Sequence, residues 1–341
     1  MTSDSTGDFI RFVIAGRLNR DFILPITGSP QLDVLGGNLA YAAVGLNLWG
    51  QNGGLVARVG ESYPLEWLES FRTLGFDLSG IRVIPGSLDV RRFLAHEDPE
   101  TTYIQNPVQH FAERNLAYPT SLLGYSGIMP SSSNRTSPTK HSLQISDIPE
   151  AYLEASAVHI CPIDYLSHLI LPSVFRQGQA TTITLSSDPG YMQSSFWEDI
   201  PTLLSDITAF ITTEAEIRAL FQGKQTDLWE MAAQLSAYGP EFVIICTVSL
   251  GYCVYDRMDN KRWTVPNYQS RVTDPTGAAD AFAGGFLAGY REHYDPVEAT
   301  MMGSISASMV VEGSGVFFAL GAIPGLKEMR IQALRELVQR I

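Results

Sequence analysis

Cysteine is scarce in this chain, with three in 341 residues. Cys161, Cys246 and Cys253 lie far apart in apolar runs. That spacing excludes a disulfide framework or a cysteine metal centre and fits reduced thiols in a core. Charge is sparse as well, at 17% of residues, and basic charge is the scarcer sign: 23 Lys and Arg against 36 Asp and Glu, a net −13. Such a field argues against non-specific binding to nucleic acid or to anionic membranes. A small anionic ligand would need a local cation or a nest of amides to overcome it. No apolar stretch approaches the ~20 residues of a membrane helix. Residues Met1 to Asp8 are polar and acidic, without the pattern of a signal peptide, so the cytoplasm is the expected compartment.

Several catalytic signatures are missing too. There is no HExxH, no GxxxxGK[ST] loop, no GxGxxG turn and no GxSxG elbow. The six histidines are scattered, and each is expected as a surface or core residue.

What is present reads as α/β. The 45% of hydrophobic residues suit a sheet buried on both faces, and the length allows one large domain or two small ones. Apolar runs at 9–16 and 53–59 alternate with helical patterns at 35–49 and 66–74, the rhythm of a parallel sheet. Residues 89–105 break it and predict a hairpin turning near Glu97 to Glu100. Residues 121–142 are rich in Ser, Thr and Pro and predict a surface-loop insertion, with a helix starting near Asp147. Strands are then expected at 157–160, 181–185, 207–211 and 242–247. An antiparallel pair follows at 252–255 and 262–265, and helices at 297–311 and 327–341 close the chain.

Two segments carry chemistry. In Asp274-Pro275-Thr276-Gly277-Ala278-Ala279-Asp280, the glycine frees a turn and the following amides become the unpaired donors of a helix start. Such an end attracts anions, and a carboxylate in its first turn, Asp280, suits proton removal beside a bound phosphate. The bland reading, a favourable first-turn acid with packing glycines, fits this segment equally well. Upstream, Gly36-Gly37-Asn38-Leu39-Ala40-Tyr41-Ala42-Ala43 places two glycines before a small-residue helix, where backbone can come close to a ligand.

Together these two segments resemble the two signatures of the PfkB (ribokinase-like) carbohydrate and nucleoside kinases. The resemblance runs in order over most of the chain, from 13–21 through Ala57-Arg58-Val59-Gly60 to 306–315. It implies a single ribokinase-like domain over 1–341, a three-layer α/β/α sandwich with a mostly parallel central sheet. A small β lid would be built from about 17–34 and 89–106. It further implies an ATP-dependent phosphotransferase acting on a hydroxymethyl group of a sugar, sugar derivative or nucleoside, with magnesium and, beside Asp274, a monovalent cation such as potassium. Asp280 matches the family's base, and the amides of Gly277, Ala278, Ala279 and Asp280 match its anion hole. Asn19, Asp21, Gly36, Gly37, Asn38 and Tyr41 match the acceptor side. Ser249, Gly251, Gly313, Ser314 and Gly315 match the nucleotide side. Glu214 matches a glutamate that organises magnesium through water, in a half-motif. A homodimer through the lid is common among such proteins.

The chain departs from the pattern where Tyr41 replaces an asparagine, Ile211 an asparagine, Ala279 a glycine and Val248 a glycine. The first three keep a rival expectation open, a degenerate homologue that binds sugar or nucleotide without transfer. Ala279 is harmless if helical and costly if its φ is positive.

Overall fold

Alternation along the first strand divides the interior in two. Phe12 and Ile14 face one apolar cluster, Val13 and Ala15 the other, as the period of two requires. The computed structural model describes residues 10–127 and 133–341. The leader-free expectation for Met1 to Asp8 and the middle of the predicted insertion therefore lie outside the described residues.

In chain order the first half holds β1 (Phe12–Ala15), β2 (Asn19–Leu24), β3 (Gln31–Gly36), α1 (Asn38–Asn47), β4 (Gly54–Gly60), α2 (Glu69–Thr73), β5 (Asp77–Ile84), β6 (Arg91–His96), β7 (Thr102–Tyr103) and α3 (Pro107–Glu113). Then come β8 (Ala157–Ile160), α4 (Tyr165–Gln177), β9 (Thr182–Ser186), α5 (Ile200–Leu203), β10 (Ala209–Thr213), α6 (Glu214–Phe221), α7 (Leu228–Ser236) and β11 (Phe242–Thr247). The chain ends with β12 (Gly251–Asp256), β13 (Lys261–Val265), α8 (Ala278–His293), α9 (Pro296–Val310), α10 (Leu326–Arg335) and β14 (Gln339–Arg340).

Ten strands form the main sheet in the order β14-β13-β12-β11-β10-β9-β8-β1-β4-β5. From β5 to β11 neighbours run parallel; β12, β13 and β14 add antiparallel. Helices α1, α8 and α9 cover one face and α4 to α7 the other, giving the three layers expected. The order reverses between β1 and β8, since the chain leaves β1 toward β4 and returns to β8. Open α/β sheets bind ligands at such a switch point, beyond the carboxyl ends of the strands.

A separate four-stranded sheet, β3-β2-β6-β7, is the lid. On its outer face Phe22, Leu24, Phe93 and Ala95 pack under Phe111 of α3 and Leu122. The chain thus covers that apolar face itself, while Leu32, Tyr103 and Val108 elsewhere on the lid and α3 stay exposed.

Two local expectations are corrected. The helix near Asp147 is only 3₁₀ turns at Ile145–Asp147 and Glu150–Glu154; Pro149 pushes the residue before it out of the helical region, where Ile148 has ψ 116°. The final helix stops at Arg335, and Gln339–Arg340 pairs with β13.

Crossing of α1 and α8 is the tightest contact in the sandwich. A Cβ on Gly45 would overlap the Ala281 carbonyl, and one on Gly284 would overlap that of Ala42. Gly45→Ala is therefore expected to lower unfolding free energy by about 1–3 kcal/mol, read by denaturant titration, because backbone on both sides leaves no side chain to move aside.

Candidate active site

Both ends of the acceptor cleft are built by glycine. At Gly37, φ is 100°, and a Cβ there would overlap the Arg17 carbonyl. At Gly36 a Cβ would overlap the Asp21 carboxylate. The glycine pair thus lets the β1–β2 turn and the start of α1 close on each other. Asn38, first residue of α1, then spans the switch point. Its Oδ1 accepts from Arg17 N at 2.7 Å, and its Nδ2 donates to Pro162 O at 2.6 Å. The amide is committed to main chain on both sides, so Asn38 shapes the cleft. Asn19 is 6% exposed and its side chain has no hydrogen-bond partner among the described residues.

Asp21 is fully buried, and β2–β6 register places it directly opposite Arg92. Arg92 donates from Nε at 3.0 Å and from Nη2 at 2.6 Å to its two oxygens. Arg92 and its neighbour His96 share the inner face of β6; neither was expected from sequence. A spacing of 71 residues hides the pair, and only the period-2 run Arg92-Leu94-His96 in the predicted hairpin could have hinted at it.

On the opposite wall, Gly277 stands at φ 80° as the N-cap of α8. A Cβ there would overlap the Tyr41 ring. Tyr41, 1% exposed, is thus a buttress under the turn rather than an open surface. Ala279 lies inside α8, so alanine carries no strain there. Ile211 is a buried β10 residue in the sheet core.

The amides after Gly277 point outward. Ala278 N reaches Pro275 O at 3.3 Å and Ala281 N bonds Gly277 O at 2.8 Å. Gly277 N, Ala279 N and Asp280 N have no protein carbonyl among the described residues. The Asp280 carboxylate makes no hydrogen bond among the described residues, and Asp280 keeps partial access to solvent. Burial pushes its pKa up to about 7; Arg92 opposes that shift and Asp21 adds to it.

Asp274 is 1% exposed. Its Oδ1 accepts from Thr276 N at 3.0 Å, the turn-capping role open to it, while its Oδ2 is buried without a partner. Glu214 spends its carboxylate on Arg218, at 2.8 and 2.7 Å. The inward acid of that turn is Glu216, which accepts from Ser187 Oγ at 2.9 Å and Thr213 Oγ1 at 2.7 Å. No group of three or more metal-ligating side chains occurs among the described residues.

For the nucleotide-side expectations, Ser249 lies exposed in the β11–β12 turn, and Gly251 has φ 80° where a Cβ would overlap the Val265 carbonyl. Gly313 packs against the Phe318 ring, while Gly315, at φ 94°, faces open space beside Ser314. The three cysteines are free, two of them buried. Among the described residues no helix is long and apolar enough to cross a membrane.

Comparison with known proteins agrees with this geometry. A cytidine kinase of Thermococcus kodakarensis is 27% identical over 305 residues, covering 89% of this chain and 96% of that protein. The nucleoside kinase of Burkholderia thailandensis in complex with inosine superposes with TM-score 0.64 at 16% identity, over 95% of this chain and 98% of that one. A putative ribokinase II from E. coli in complex with ATP and Mg2+ does so with TM-score 0.67 at 17% identity, over 95% and 99%. The model of the pfkB family carbohydrate kinases matches residues 129–320. With more than half the chain matched, the protein belongs to the pfkB family of carbohydrate kinases and is a carbohydrate or nucleoside kinase of ribokinase-like fold.

Proposed function

We propose that the chain transfers the terminal phosphoryl group of ATP to the hydroxymethyl group of a nucleoside, with Asp280 as the base. One arrangement carries this reading: a carboxylate with no hydrogen-bond partner among the described residues, its pKa pushed up to about 7 by burial, sits in the first turn of a helix where the Gly277, Ala279 and Asp280 amides have no carbonyl partner. A base with a pKa near neutrality is a stronger proton acceptor than an ordinary carboxylate and is still ionised in a large fraction of molecules at neutral pH. The unpartnered amides of Gly277, Ala279 and Asp280, with Ala278 N turned to Pro275 O, would take up the charge that grows on the transferring group, an arrangement worth roughly 3–4 kcal/mol per donor in acyl-transfer enzymes.

The nucleoside acceptor is favoured over a bare sugar by what lies beyond Asn19. There a cavity is lined by Arg17, Arg58, Arg91, Tyr125 and His141. Arg58 is neutralised by Asp147 at 2.7 Å and Arg91 by Asp89 at 2.7 Å. Arg17 has no ion-pair partner among the described residues and donates only to the Ile163 carbonyl. Tyr125 and His141, whose pKa burial lowers to about 4, offer uncharged ring faces. Flat rings with one free cation suit a base with a carbonyl edge; a dianionic phosphate would leave uncompensated negative charge. The likeness to a cytidine kinase along its length supports the same choice.

Magnesium enters with the nucleotide phosphates, since both acids of the α6 turn are engaged within the protein. The orphaned Asp274 Oδ2 fits a monovalent cation. Tyr41 packs under the Gly277 turn, Ile211 packs in the sheet core and Ala279 is an ordinary helical residue, so none of the three departures displaces Asp280, which weakens the binding-only alternative.

Turnover of ATP against a panel of sugars and nucleosides tests this reading. Substrate-dependent ADP release should be greatest with a nucleoside and fall about 10²–10⁴-fold in Asp280→Asn; tight binding without turnover in the wild type would overturn it. The same substitution should raise thermal stability. The folded pKa of about 7 exceeds the ordinary 3.8, so the folded state holds its proton more firmly and ionisation destabilises it progressively above pH 4. Asp280→Asn should therefore melt higher than wild type at pH 8, with the gap closing near pH 4, in matched calorimetric scans.

The acid limb of kcat/KM should have a midpoint near pH 7, falling about tenfold per unit below it, because the carboxylate is the active form. Arg92→Gln should move that midpoint upward, since it removes the cation opposing the shift and leaves Asp21 unneutralised. A midpoint unmoved by that substitution would disconnect Arg92 from the base.

A further inference from the structure

The lid rests directly on the turn that opens α8. Just past β2, Ile26 N and Thr27 N donate to Thr273 O at 3.1 and 3.4 Å. From β6, His96 Nε2 lies 2.8 Å from Thr276 Oγ1 and 3.4 Å from Asp274 Oδ1. The other ring nitrogen, Nδ1, lies 2.8 Å from Thr102 Oγ1 on β7. The imidazole is thus pinned at both nitrogens, and at 3% exposure it is sealed from water. Arg114 fixes the strand ends around it, donating to His96 O at 2.6 Å and Pro25 O at 2.7 Å.

Thr276 immediately precedes Gly277, the residue from which the outward amides begin. On its far side the same turn is held by Val311, whose carbonyl accepts from Thr273 N at 2.7 Å and Asp274 N at 3.2 Å. His96, Thr276, Asp274 and Val311 therefore form one chain of hydrogen bonds from the lid, through the catalytic turn, to the loop containing Gly313 and Gly315. A glycine N-cap in the left-handed region has the least intrinsic stiffness of any residue. The two side-chain anchors on Thr276 and Tyr41 supply the stiffness Gly277 lacks.

We propose that His96 is a positioning residue that holds Thr276, and with it the Gly277 to Asp280 amides, in the geometry for phosphoryl transfer only while the lid is docked. The inference rests on the kinase reading above for its consequence, but its structural content stands apart. A docked lid and an assembled anion hole become one event, so ATP is not committed while the acceptor site is open. Displacement of a reacting group by about 1 Å can cost roughly 100-fold in rate, so the effect belongs in kcat rather than in acceptor binding.

His96→Ala, His96→Gln, Thr276→Val and the combined His96→Ala/Thr276→Val variant decide the matter with two readouts. The first is amide hydrogen exchange over 273–280, with β8 to β10 as internal control. In His96→Ala the segment should exchange at least tenfold faster while the control strands keep their protection, and His96→Gln, whose amide can reach the same hydroxyl, should restore it. The second is steady-state transfer with cytidine as probe acceptor. There kcat should fall about 10–100-fold with acceptor Kd within threefold, and Thr276→Val should cause a similar loss that adds little to that of His96→Ala. Unchanged exchange over 273–280, a loss confined to acceptor affinity, or additive losses would each overturn the proposal. Should the wild type transfer phosphate to no acceptor, the kinase reading fails, and the exchange measurement alone decides for or against the latch.

Discussion

Everything at this site leans on the approach of two helices whose backbones meet at glycine. Gly45 and Gly284 bring the backbones of α1 and α8 together where any Cβ would strike a carbonyl. That closeness has a chemical result. The first residues of α1 close the switch point between β1 and β8, and the first residues of α8 carry Asp280. Two helix starts from opposite ends of the sequence thus flank one cleft, and packing density alone keeps them in register.

Electrostatics then separates the acids that share this space. Asp21 is deeply buried yet held by a bidentate arginine. Asp274 keeps one oxygen in a turn bond and one without a partner. Asp280 has no donor among the described residues and feels Arg92 only at a distance. Burial without a partner raises a carboxyl pKa, whereas hydrogen bonds and opposite charge lower it. The same side chain at three positions therefore takes three roles, each set by surroundings. In a chain of net charge −13, free amides and arginines supply the local attraction that an anionic donor requires.

Much of this was legible in the sequence because certain backbone positions admit few residue types. Gly277 and Gly37 sit at positive φ, and the acid three residues after Gly277 marks the helix start. The lid hairpin was legible from alternation alone. What stayed hidden depends on partners far away: Arg92 on Asp21 across 71 residues, His96 on Thr276 across 180. Local pattern carries no trace of such pairings. Asn38 was legible as a member of the cleft but not as its brace, since an asparagine reads alike whether its amide meets a ligand or main chain. In the α6 turn the reading fell on Glu214, and only the capping box with Thr213 turns Glu216 inward instead.

Tyr41 shows how a departure from a family pattern can be absorbed without loss of the site. A residue reaching into the cleft would need an open hydroxyl; this one is buried without a partner, with its ring filling the space beneath Gly277. Burying a hydroxyl unpaired costs about 1–3 kcal/mol, which apolar contact of the ring under the turn offsets at a point where the backbone is least constrained. In this chain the side chain at 41 supports the turn that opens α8. On the β1–β2 side of the cleft, Arg17, which has no ion-pair partner among the described residues, lines a cavity together with Asn19, Tyr125 and His141. The departure at Tyr41 therefore leaves the start of α8, with Asp280 and its unpartnered amides, in place, because the ring fills space beneath the N-cap instead of entering the cleft.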